Sequence, residues 1–91
     1  MYLKISKNLL INFNEIIAIL NINSLEKKES LENVCKKMKI SDNIVDVSED
    51  NKKSLIITKK GEEIKGYITN ISSNSLEKRA NKMEVKNNGK I

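Results

Sequence analysis

Over the first 22 residues the spacing of apolar positions changes along the chain. Tyr2-Leu3-Lys4-Ile5-Ser6 largely alternates apolar and polar, Leu9 to Phe13 forms a second apolar run, and Asn8 falls where a turn belongs, so the opening predicts a β-hairpin. Glu15 to Ile22 is apolar on both faces and rich in β-branched residues. That pattern predicts a strand at the sheet centre or at a subunit contact, with helix as the competing reading.

Between Glu26 and Lys39 the period lengthens. Leu31, Val34, Cys35 and Met38 stand at i, i+3, i+4 and i+7, one apolar stripe of a helix, and Glu32 with Lys36 makes a supporting i,i+4 pair. The second half returns to strands, over Asn43 to Val47, Ser54 to Thr58 and Ile64 to Thr69. Lys59-Lys60-Gly61-Glu62 is read as the turn between the last two, with Gly61 supplying its backbone freedom. A final helix is predicted to start near Ser73 or Asn74, where Asn74 and Glu77 have the spacing of a capping box. Leu76, Ala80 and Met83 form its apolar stripe, with Arg79 at the border of that face. From about Lys86 no periodic signal remains, so residues 86–91 are expected to fray.

These elements predict a small single α+β domain over residues 1–85. It should be mostly antiparallel β-sheet, with one central helix and a short C-terminal helix. A chain of 91 residues with only 38% apolar and 3% aromatic positions builds a modest core, and a homo-oligomer is expected to cover its remaining apolar strands. Cys35 is the only cysteine, so no internal disulfide can form. Its place on the helical stripe predicts a buried reduced thiol, as suits a cytoplasmic protein. Neither a secretory signal nor an apolar run of membrane-spanning length is found, so no membrane partner is expected.

The candidate chemistry is basic. The formal charge of +5 favours anionic partners, although it is spread almost evenly along the chain. There is no histidine, and the single cysteine lies on a core stripe, so an enzyme is not expected and no cofactor is predicted. No metal site is expected either: Glu49-Asp50 and Glu62-Glu63 read as solvated turn residues, too few for a calcium loop. Asn51-Lys52-Lys53 forms a loop entering a strand, where two ammonium groups and backbone donors can meet phosphates, although composition alone favours a solvated lysine pair. Lys78 and Lys82 on the last helix are secondary candidates. Arg79, the only arginine among 17 basic residues, can use its planar fork on a phosphate or, as a structural group, on a carboxylate within or between subunits.

Several segments together resemble one family. Met1-Tyr2-Leu3, Glu15 to Ile19, Val45-Asp46-Val47, Lys53 to Thr58 and Ile71 to Ala80 make the chain similar to the bacterial Rem family of extracellular-matrix (biofilm) regulatory proteins, in particular its RemB branch. The resemblance is most specific in the last two segments, and between Ile22 and Asn43 it is one of pattern alone. It implies a transcriptional regulator of matrix genes in spore-forming, low-GC bacteria. For the sister RemA branch it implies a ring-shaped homo-oligomer that binds DNA through a basic surface. The sister branch has an arginine-rich loop where this chain has Asn51, Lys52 and Lys53, so the charge is present here without the fork. On this reading Lys52, Lys53 and Asn51 contact the DNA backbone, a ring repeats those contacts, and DNA shape supplies sequence preference. The alternative is an oligomeric scaffold that does not bind DNA.

Overall fold

The computed structural model describes residues 2–24, 31–40 and 42–88, with side chains described within 2–23, 33–40 and 42–81. The predicted opening hairpin is present as β1 (Tyr2–Ser6) and β2 (Leu9–Asn12), paired antiparallel. Phe13 leaves the second strand for a single 3-10 turn, Phe13–Glu15, whose start is capped by the Asn12 side chain accepting from the Asn14 N–H at 3.0 Å. This hairpin is a separate two-stranded sheet. The main sheet has the order β3-β5-β6-β4, formed by Ile16–Asn21 (β3), Ile44–Asp46 (β4), Ser54–Lys60 (β5) and Glu63–Thr69 (β6). Helices α1 (Leu31–Lys37) and α2 (Ser73–Asn88) complete an α+β domain.

The centre of the sheet is β5, and the reason lies in its sequence. Leu55-Ile56-Ile57 places apolar side chains on both faces, and all three are fully buried. Ile56 points into one layer with Leu3, Ile5 and Ile11 of the hairpin and Leu76 of α2. Leu55 and Ile57 point into the other, with Cys35, Ile40 and Ile68. Thr69 joins hairpin to sheet through a buried hydrogen bond, its hydroxyl donating to the Ile5 carbonyl at 2.7 Å. Gly66 in β6 is needed for close approach, because a Cβ there would lie 2.8 Å from Ile44 Cδ1 and 2.9 Å from Ile40 Cδ1.

Local details depart from the sequence reading in four places. First, of the two positions expected for β3, sheet centre or subunit contact, the sheet centre is excluded: β3 is an edge strand, paired with β5 alone among the described residues, with a bulge between Ile16 and Ala18 and Ile17 56% exposed beside it. Second, one pairing is parallel, β4 on β6, within a sheet that is otherwise antiparallel as expected. Third, β5 and β6 pair through Lys60 and Glu63, which shortens their connection to Gly61-Glu62. A positive φ of 62° at Gly61 alone fits a two-residue hairpin turn with glycine first. Fourth, the cap of α2 is Ser72, not Ser73 or Asn74. Its hydroxyl accepts from the Ser75 N–H at 3.2 Å, and Ser75 occupies the position three residues on where a capping box carries Glu or Gln. Ser72→Ala is therefore expected to lower stability by about 1 kcal/mol, measured by denaturant melt.

The stripe of α1 also ends differently. Met38 is 37% exposed, and Ile40 takes the buried place instead, because the helix terminates in a left-handed turn at Lys39 (φ 59°). The Lys39 N–H donates to the Lys36 carbonyl at 3.1 Å and the Ile40 N–H to the Cys35 carbonyl at 3.0 Å, a Schellman ending with lysine where glycine is preferred. Lys39→Gly removes the side-chain clash of that conformation and is expected to raise stability by about 0.5–1 kcal/mol, a higher denaturant midpoint at unchanged slope. The side chains of Leu31, Glu32, Lys82 and Met83 lie outside the described residues, and with them the Glu32–Lys36 pair. Helical backbone continues to Asn88, two residues past the point where fraying is expected. Among the described residues no helix is long and apolar enough to cross a membrane.

Candidate nucleic-acid interface

The predicted basic loop begins at Asp46, the last residue of β4. Its carboxylate Oδ1 accepts from both the backbone N–H (2.9 Å) and the hydroxyl (2.6 Å) of Ser48, and these bonds hold the Asp46 carboxyl below the ordinary carboxylate range. Ser48-Glu49-Asp50-Asn51 then closes a tight turn, the Asn51 N–H donating to the Ser48 carbonyl at 3.1 Å. Glu49 and Asp50 both have positive φ, 52° and 73°, the backbone of a type I′ turn made here without glycine.

The loop is then tied to the sheet on both sides. The Lys53 N–H donates to the Thr69 carbonyl and its own carbonyl accepts from the Ile22 N–H, each at 3.0 Å. The backbone donors of Asn51 and Lys53 are thus used inside the protein, which leaves the side chains of Asn51, Lys52 and Lys53 as the groups this segment presents outward. Asn51 and Lys52 are exposed and Lys53 is half-buried. Lys52 Nζ lies 3.9 Å from Asp46 Oδ2, with both side chains well exposed, a long pair that solvent screens. Counting side chains from Asp46 to Lys53, three carboxylates accompany two ammonium groups.

The α2 candidates separate. Lys78 is exposed on the helix. Arg79 donates from Nη1 to the Lys4 carbonyl of β1 at 2.9 Å, so its structural partner is a strand carbonyl and not the carboxylate expected. That bond ties α2 to the hairpin. Arg79 also borders an open groove that the sequence reading missed, between the β1–β2 turn and β4. Lys4 and Lys7 line it with Arg79, and so do Asp46 and Glu49. Asn51, Lys52 and Lys53 do not line this groove; the link between the two is Asp46, which lines it and stands 3.9 Å from Lys52. Lys4 and Lys7 drew no attention in sequence because one is an ordinary outward residue of an alternating strand and the other a turn residue.

Among the described residues no group of three or more His, Cys, Asp and Glu is placed to hold a metal ion. The buried Cys35 thiol, pushed up in pKa by desolvation, belongs to the layer under α1. The fold and surface therefore define a small α+β domain with a grooved corner of mixed charge, built from the hairpin turn, the β4–β5 loop and α2. Comparison with protein-family models and with curated proteins finds no match for the chain.

Proposed function

We propose that this domain is a DNA-binding regulatory protein of the Rem type, acting in the cytoplasm on matrix-type genes as a homo-oligomer. The observation that carries the reading is the anchored loop: hydrogen bonds at Asn51 and on both sides of Lys53 fix the backbone from which Lys52 and Lys53 project. A rigid base reduces the entropy lost when two flexible lysines engage phosphates. Each subunit contributes little by itself, and a closed assembly makes the contacts act together. Lys78 supplies a further exposed charge. The contacts position the protein on the duplex, and bending or groove width of the DNA supplies preference among sequences.

A second reading, an oligomeric scaffold that does not bind DNA, is favoured by one feature of the same loop. Asp46 next to Lys52, together with Glu49 and Asp50, offsets the field that would attract a polyanion. Titration of random duplex DNA at about 50 and 200 mM salt separates the two, with particle mass followed by light scattering. DNA binding predicts measurable affinity at the lower salt and a fall linear in log–log form, with slope about −0.9 per phosphate engaged. An assembled particle with no binding at the lower salt would leave the scaffold reading.

A further inference from the structure

We propose that the groove beside Arg79 binds a nucleoside phosphate, a ligand distinct from duplex DNA. Its lining combines the kinds of group such a ligand requires. Three cations, Lys4, Lys7 and Arg79, line it and outnumber the two carboxylates, Asp46 and Glu49. Arg79 spends Nη1 on the Lys4 carbonyl, and that bond orients the guanidinium while its remaining N–H groups stay free of any carboxylate among the described residues. A fixed fork with two neighbouring ammonium groups suits a phosphate chain, which accepts several charge-assisted hydrogen bonds at once.

Part of the lining is apolar. Leu9, Val45, Val47 and Ile71 all line the groove and are only half-buried, so they offer surface on which a flat base can be desolvated. Asp46, also in the lining, has Oδ1 occupied by Ser48, while Oδ2 has only the long pair to Lys52 among the described residues and can accept from a ribose hydroxyl or an exocyclic amine. The amides of Asn8 and Asn70 add donors and acceptors. A simple inorganic anion would use the cations and leave the apolar lining uncovered. Duplex DNA would bring only its outer phosphates to a recess whose apolar part needs an unstacked base.

The test is calorimetric titration of the full chain with ATP, with adenosine, tripolyphosphate and a short DNA duplex as comparison ligands. ATP is expected to bind saturably and at least about tenfold more tightly than adenosine or tripolyphosphate alone. Lys7→Ala, at an exposed turn, should weaken ATP several-fold while leaving the melting temperature of the free protein in place. Arg79→Lys should weaken ATP further and also lower that temperature. Absence of ATP binding would overturn the proposal, and so would tripolyphosphate binding as tightly as ATP, or indifference to Lys7→Ala. Duplex binding that both substitutions weaken, with no response to ATP, would assign the groove to the DNA surface instead. Because nucleotide and duplex are titrated separately, failure here is distinguishable from failure of DNA binding.

Discussion

Ile56→Ala is expected to lower the unfolding free energy by about 2–5 kcal/mol, the range for truncating a fully enclosed isoleucine. Ile56 has no exposed surface and is the contribution of the central strand to the layer shared by the hairpin and α2. Those two elements close over it from different parts of the chain and are held there by the Thr69–Ile5 and Arg79–Lys4 hydrogen bonds, so neither can collapse freely into the vacated space. A domain of this size has a total stability of only about 5–15 kcal/mol, so the loss would be a large fraction of it. A denaturant melt measures it directly, and a change below about 1 kcal/mol would show that the two layers are packed less tightly than the structure has them.

The second large effect concerns binding. Lys52→Glu combined with Lys53→Glu should reduce DNA affinity at low salt by at least about tenfold per engaged subunit and flatten the log–log salt slope by roughly two. Lys52→Glu by itself should change stability by no more than about 1 kcal/mol, because Lys52 is exposed and its pair with Asp46 is screened by solvent, whereas the half-buried Lys53 sets any larger loss in the double variant. Asp46→Asn tests the same field from the other side. The amide keeps an oxygen for Ser48 while the charge beside Lys52 disappears, so DNA affinity should rise. Unchanged binding in all these variants, followed by titration, would move the contact away from this loop.

What the sequence disclosed and what it concealed divide along a physical line. The hairpin, the α1 stripe through Val34 and Cys35, and the strands around Leu55 and Tyr67 were legible because each rests on the period of side chains within one segment. The position of β3 was not. Its two-sided apolar pattern is the usual mark of a central strand, but strand order depends on how distant segments pair, and β5, with its three fully buried residues, takes the centre. Met38 fitted the helical period, yet the left-handed turn at Lys39 ended the helix first and delivered Ile40 to the core. For the site, Lys52 and Lys53 were visible as a basic pair in a loop. The groove was not, because Lys7 and Arg79 are far apart in sequence and meet only when α2 returns to the hairpin.

The buried Cys35 thiol has a consequence for measuring motion. With its side chain almost fully enclosed and its pKa raised by that enclosure, it reacts with an exposed-thiol reagent only when the layer beneath α1 opens. As the only thiol in the chain it is an unlabelled, single-position reporter of that opening. Its rate of modification, compared with global unfolding, tells whether α1 lifts from the sheet by itself or only when the whole domain comes apart.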